Sequence, residues 1–64
     1  MTHLTRDVLV KSIVAEEVRD MKGDGYLEAL KNLYHKWEHV SSDELCTRYN
    51  EIKETHITKE HLKP

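Results

Sequence analysis

The sequence predicts an all-α protein, a small three-helix bundle with helices at about 5–21, 26–40 and 42–54. Apolar residues recur at three- and four-residue steps along these segments, which is the period of an amphipathic helix. The only two glycines lie together in the segment 22–25 and break this pattern. The sequence Ser-Ser-Asp-Glu at 41–44 has the spacing of a capping box and marks a further helix start. We therefore expect the first two helices to be antiparallel across the glycine turn, with the third packed over them.

The first predicted helix begins at Thr5, whose hydroxyl can accept a backbone N–H of the first turn. Asp7 then places negative charge near the positive end of the helix dipole. One side of the helix is apolar and is expected to face the core; its residues are Val10, Ile13, Val14, Val18 and Met21. Glu17 falls near the middle of this side, where a carboxylate must either bond to another polar group or be hydrated. A slight rotation of the helix brings Glu17 to the surface, or a partner meets this side and Glu17 pairs with a basic group such as Arg48 or Lys53.

The second helix has the strongest amphipathic pattern of the chain. Its apolar side consists of Tyr26, Leu27, Leu30, Leu33, Tyr34, Trp37 and Val40. The chain has no phenylalanine, so its aromatic rings all carry a polar group, which suits boundaries and interfaces. Core packing is the commoner role for a tryptophan in so small a domain. We also name Trp37, Tyr34 and Tyr49, together with Glu17, as candidate partner-binding residues.

The third helix begins after Ser41 and presents Leu45, Tyr49 and Ile52 on one side, with Cys46 at its edge. Beyond it the pattern weakens. We expect the tail, residues 56–64, to be mobile or ordered by a partner. Thr58 and His61 have the spacing to begin one short extra turn within it.

A chain of 64 residues is long enough for one domain, residues 1–64, with a small core. Cys46 is the single cysteine, so no disulfide within the chain supports that core. Self-association, as a homodimer or a higher oligomer, or a metal site is therefore the expected support. A lone cysteine also suits a reducing compartment, and the absence of a long apolar stretch argues against a membrane span, so we expect a cytoplasmic protein.

Ten basic and twelve acidic residues give a formal charge of −2, which argues against a general nucleic-acid binder. The residues 43–50 and 57–62 have a poor likeness to a helix-turn-helix opening and its recognition segment. A small DNA-binding or transcription-regulating protein is therefore kept as an alternative. It would require a basic face made by Lys53, Lys59 and Lys63 with the tail histidines.

His35 and His39 are four residues apart, the spacing at which two imidazoles on a helix can share a zinc ion. Cys46, His56 and His61 are the residues that could complete a tetrahedral set. On a helical wheel the two histidines lie opposite the apolar side, so we interpret them first as solvated side chains. A zinc-stabilised helical oligomer is the alternative, and otherwise no cofactor is expected.

Catalytic motifs are missing from the sequence. Nucleophilic catalysis would require Cys46 or a serine beside a base that activates it, and so thin a domain offers little cleft. The glycines follow a helix and not a strand, so they do not form a phosphate-binding loop. We therefore expect that the protein is not an enzyme.

Four stretches carry a resemblance to a known group of proteins. They are Asp24-Gly25-Tyr26-Leu27-Glu28-Ala29-Leu30, Trp37, Ser42-Asp43-Glu44-Leu45 and Tyr49-Asn50-Glu51-Ile52. The pattern, within residues 24–52, resembles small acidic helical accessory proteins of bacteriophages. Such proteins are mostly of unknown role or bind host factors, so the resemblance implies a phage or mobile-element origin and assigns no site residues.

The leading functional prediction is a non-enzymatic protein-binding regulator or inhibitor. Its surface would combine the acidic region 16–24 with exposed aromatic edges.

Overall fold

A computed structural model describes residues 4–63, with the side chain of Lys63 excepted. The elements, in chain order, are β1 (Leu4–Thr5), α1 (Arg6–Glu17), α2 (Tyr26–Glu38), α3 (Ser42–Lys53), a 3₁₀ helix (Lys59–His61) and β2 (Leu62–Lys63). The predicted small three-helix bundle is confirmed. Within this part of the chain, no helix has the length and apolar character needed to cross a membrane.

The start of α1 is where the sequence placed it, because the Thr5 hydroxyl accepts the backbone N–H of Val8 at 3.2 Å. Its end is not. The helix was predicted to continue to residue 21 but ends at Glu17, and a turn follows. Glu16 and Glu17 stand in the last turn with no basic residue, which is unfavourable with the helix dipole, so the dipole does not account for the early end. Because the helix ends early, Met21 is outside the core, and 42% of its surface is exposed.

The other two helices also end slightly early. α2 was predicted to reach residue 40 but stops at Glu38, and a turn bond from the N–H of Val40 to the Trp37 carbonyl follows. α3 starts as predicted, since the Ser41 hydroxyl accepts the N–H of Glu44 at 3.2 Å. It was predicted to run to residue 54, but Glu54 has left-handed backbone angles (φ 54°, ψ 47°) and closes the helix.

α1 is the central helix, because both α2 and α3 pack against it. The buried core consists of Leu9, Val10, Ile13, Val14, Val18, Trp37, Leu45 and Cys46. α1 and the residue after it supply five of these eight side chains, whereas α2 supplies Trp37 alone. α2 is therefore the least covered of the three helices.

Arg6 joins the start of α1 to the connection between α2 and α3. Its guanidinium donates to the Ser42 hydroxyl at 2.9 Å and to the carbonyls of Val40 at 2.7 Å and Glu38 at 3.1 Å. The first residue of α1 thus lies beside the last residue of α2.

That the tail is mobile or ordered by a partner stays a prediction; up to residue 63 it contains the 3₁₀ helix and β2, and Pro64 lies outside the described residues. β2 pairs in parallel with β1, with Leu4 opposite Leu62 and Thr5 opposite Lys63. The two described ends of the chain are therefore side by side.

The short turn predicted from Thr58 and His61 is confirmed. The backbone N–H of Thr58 donates to His61 Nδ1 at 2.9 Å and so starts the 3₁₀ helix. Asn50 holds the loop before it: Nδ2 donates to the Ile57 carbonyl at 2.9 Å, and Oδ1 accepts the Ile57 N–H at 2.9 Å and the Thr55 hydroxyl at 2.8 Å. One amide side chain thus fixes the path from α3 into the tail.

Candidate functional site

Glu17 and Trp37, two of the predicted partner-binding residues, are bonded to each other. The indole Nε1–H of Trp37 donates to Glu17 Oε2 at 2.8 Å. The half-buried carboxylate on the apolar side of α1 is therefore paired within the chain. The suggested basic partners lie elsewhere: Arg48 bonds to Glu51 at 3.5 Å, and Lys53 is exposed.

The predicted aromatic binding residues mainly belong to the fold. Trp37 is 8% exposed and sits in the core, which is the commoner of its two predicted roles. The ammonium of Lys36 lies 4.9 Å from the ring centroid, in the range of a cation–π contact. Tyr34 and Tyr49 are half-buried and pack against the core. These rings therefore offer only part of their surface to a partner.

Three large apolar side chains are exposed instead, and they flank the glycine turn between α1 and α2. They are Met21, Tyr26 and Leu27, with 42%, 37% and 69% of their surfaces exposed. We call these three residues the apolar tip. Burial along α2 decreases from Trp37 towards this end, where α1 has already terminated.

The sequence had assigned the apolar tip to the core sides of the first two helices. Leu27 lies three residues before Leu30 and seven before Tyr34, so it continues the same side of α2. The sequence carried no signal for the early end of α1, because glutamates at 16–17 oppose the helix dipole in a last turn and argue for a longer helix. That end leaves the first turn of α2 without a neighbouring helix.

The surface around the apolar tip is acidic. Between residues 16 and 28 the chain has five acidic and two basic residues, a formal charge of −3. Asp20, Asp24 and Glu28 are exposed, and one of the two basic residues, Arg19, already pairs with Glu16 at 3.2 Å. This end of the molecule therefore combines apolar side chains with uncompensated negative charge.

His35, in the last turn of α2, and His39, the residue after the helix, face solvent with their ring centroids 4.7 Å apart and their planes at 70°. The further ligands suggested by the sequence do not join them. Cys46 is buried, and His61 uses Nδ1 to accept the Thr58 N–H. Among residues 4–63 no three histidine, cysteine, aspartate or glutamate side chains gather in a metal-binding arrangement.

Cys46 lies on the side of α3 that faces the core, with 4% of its surface exposed. Burial raises the pKa of its thiol, and the nearby charge of Asp43 raises that pKa further. Both effects disfavour the thiolate, which is the reactive form.

Lys53 and Lys59, two of the three lysines of the predicted basic face, are not brought together. Lys59 lies beside Asp43 in the first turn of α3, with 3.9 Å between Nζ and Oδ2. Lys53 is ten residues further along, a rise of about 15 Å on the helix. The side chain of Lys63 lies outside the described part of the structure.

A shallow open groove of about 220 Å³ is lined by Arg6, Asp7, Val10 and Glu38. Two of its three charged side chains already have partners: Arg6 bonds to the α2–α3 connection, and Asp7 pairs with Lys11 at 3.1 Å. It is also smaller than the roughly 300–1,000 Å³ of typical ligand pockets.

Neither a family model, a curated protein nor a solved structure matches this chain. The functional conclusion therefore depends on the geometry of its own residues.

Proposed function

We propose that this protein is a non-enzymatic regulator or inhibitor that acts by binding another protein through the apolar tip. The exposure of Leu27 is the observation that carries the proposal. This residue continues the apolar side of α2 but has 69% of its surface in water, with Met21 and Tyr26 also exposed. Burying one such side chain contributes about 1.5–3 kcal/mol, so a partner that covers the tip gains substantially.

The chemistry of the tip favours a basic partner. A protein surface with an apolar depression bordered by lysine or arginine would cover Leu27 and neutralise Asp20, Asp24 and Glu28. A symmetric contact between two tips would place two segments of charge −3 against each other. Such like-charge contact opposes binding, so the tip suits a different protein better than a second copy.

The attachment of the tip also suits binding. Tyr26 and Leu27 belong to the first turn of α2, and α2 is fixed to the core by Trp37. Anchors on a helix lose less conformational freedom on binding than anchors on a loop. Binding through one end of the molecule would leave the rest of it to obstruct the partner's surface, which is how we envisage regulation or inhibition.

The setting we propose is the cytoplasm of a cell that hosts a phage or mobile element. A single, buried cysteine fits a reducing compartment. The resemblance of residues 24–52 to bacteriophage proteins supports a host factor as the partner. The DNA-binding alternative gains no support, because Lys53 is the last residue of α3 whereas Lys59 lies beside Asp43 in its first turn.

The test compares capture of proteins from an extract of the source cells by three forms of the full chain. Leu27→Asp places a charge in the tip, and Asn32→Asp adds the same charge at an exposed position elsewhere on α2. We expect a protein that the wild type and Asn32→Asp retain equally and that Leu27→Asp loses by tenfold or more. Equal retention by all three forms, or recovery of nucleic acid alone, would contradict the proposal. Circular dichroism of each form checks that the helices are intact.

A further inference from the structure

We infer that His35 and His39 form a surface binding site for a divalent transition-metal ion that prefers imidazole ligands, with Zn²⁺ as the ion of first choice. His35 lies in the last turn of α2 and His39 is the residue that follows the helix, four positions further along; both side chains are exposed. This site lies on the side of α2 away from Trp37 and towards the opposite end from Leu27. It is therefore independent of the apolar tip.

The separation of the two rings fits a shared ion. A zinc–nitrogen bond of about 2.0–2.1 Å places each imidazole centroid about 3.2 Å from the metal. For nitrogen–zinc–nitrogen angles between a right angle and the tetrahedral value, two such centroids are about 4.5–5.2 Å apart. The observed separation is 4.7 Å. The spacing of one helical turn thus brings the two rings to a separation that suits a shared ion, and rotation of the side chains would direct one nitrogen of each towards it.

The rings are also available. Within residues 4–63 neither the ring of His35 nor the ring of His39 takes part in a hydrogen bond or an ion pair, in contrast to the ring of His61, which is bonded to Thr58. His35 is in the last turn of α2, where positive charge interacts favourably with the helix dipole. A cation at this place is therefore stabilised by the helix as well as by its ligands.

The described part of the chain supplies two ligands and no third. Zinc favours four, so the remaining positions are open to water or to an external ligand, and binding is weaker than at a closed structural site. Because both histidines bind one ion only when the turn between them is helical, the ion also stabilises the folded state in proportion to its occupancy.

The test is calorimetric titration of the full chain with zinc chloride, together with thermal unfolding with and without zinc. His35→Gln and His39→Gln each remove one ligand, and His56→Gln is the matched control at an exposed histidine outside α2. We expect the wild type and His56→Gln to bind zinc alike and to unfold at a higher temperature in its presence. His35→Gln and His39→Gln should each lose roughly tenfold or more in zinc affinity. This is at least the loss seen at other metal sites when a group that hydrogen-bonds to a ligand is removed.

A ratio of one zinc per chain supports the inference. A ratio of one zinc per two chains also supports it, because a second copy then completes the coordination of the ion. Absence of wild-type binding up to about 1 mM zinc would overturn it. An unchanged zinc affinity in both His35→Gln and His39→Gln would also overturn it, and so would an equal loss of affinity in His56→Gln. The exposed positions of the three histidines make them suitable for substitution without loss of the fold.

Discussion

The indole nitrogen of Trp37 lies 2.8 Å from Glu17 Oε2, and this hydrogen bond joins the last residue of α1 to the last turn of α2. At the other end of α1, Arg6 binds the carbonyl of Val40 at 2.7 Å. The packing of α1 against α2 is therefore fixed by a polar contact at each end of α1, with the apolar core between them. The packing leaves the first turn of α2, with Leu27, uncovered.

The bond between Glu17 and Trp37 should appear as a coupling energy. We expect Glu17→Ala to lower the free energy of unfolding by about 1–2 kcal/mol, because the largely buried indole N–H loses its acceptor. In a double-mutant cycle with Trp37→Phe, the coupling between the two positions should be about 1 kcal/mol. Urea unfolding followed by circular dichroism measures both.

Glu16→Ala is the matched control, since Glu16 forms only an exposed ion pair with Arg19. Its effect should stay within about 0.5 kcal/mol. A coupling indistinguishable from zero would show that the Glu17–Trp37 bond does not contribute to the fold.

The side-chain amide of Asn50 should determine the order of the tail. In Asn50→Asp the donor to the Ile57 carbonyl is replaced by a carboxylate oxygen, so two acceptors face each other. We expect a loss of about 1–3 kcal/mol in stability and faster hydrogen exchange at the amides of Ile57 and Thr58. Asn32→Asp, at an exposed position, should change neither, and slow exchange retained in Asn50→Asp would argue against the role of this amide.

Glu54 should be a site where glycine stabilises the protein. Its φ of 54° is unfavourable for a residue with a Cβ atom, whereas glycine adopts it readily. We expect Glu54→Gly to raise the free energy of unfolding by up to about 1 kcal/mol. Glu51→Gly, the same change inside α3, should lower it by about 1 kcal/mol. Chemical denaturation of both variants checks the opposite signs, and destabilisation by both would contradict the left-handed conformation at Glu54.

The thiol of Cys46 should react slowly, and it should make the free energy of unfolding decrease at alkaline pH. Burial raises its pKa, so the folded state holds the thiol proton more tightly than the unfolded state. The resulting stability is fully present below the ordinary thiol pKa of about 8.5 and is lost as the pH rises above it, through the raised pKa of the folded state. Alkylation at neutral pH should therefore be far slower in buffer than in urea.

Cys46→Ala provides the control for that pH dependence. The variant should be less stable at pH 7 because a buried side chain is shortened, but its stability should fall less steeply between pH 8 and pH 10. Equal slopes in the two proteins would contradict a raised thiol pKa.

Helix starts were predictable because they depend on neighbouring residues. Thr5 and Ser41 bond to N–H groups three residues further along, and both caps are formed as expected. The pairing of Leu4 with Leu62 was not predictable, since two-residue strands so far apart in the chain have no local pattern.

The candidate site shows the same division between local and long-range information. The periodicity identified Glu17 as an anomaly on an apolar side, but its bond to Trp37 depends on how two helices pack. For Leu27 the periodicity indicated an apolar side of α2. It could not indicate that no helix lies beside that turn, because this depends on where α1 ends.

The central claim is that the apolar tip contacts a partner protein, and site-specific photo-crosslinking tests it most directly. A benzophenone side chain replaces Leu27 in one form and Lys53, which is exposed at the far end of α3, in another. After irradiation in an extract of the source cells, we predict one dominant adduct with a basic protein from the Leu27 form and none from the Lys53 form. Identical adducts from both positions, or adducts with the chain itself alone, would contradict the claim.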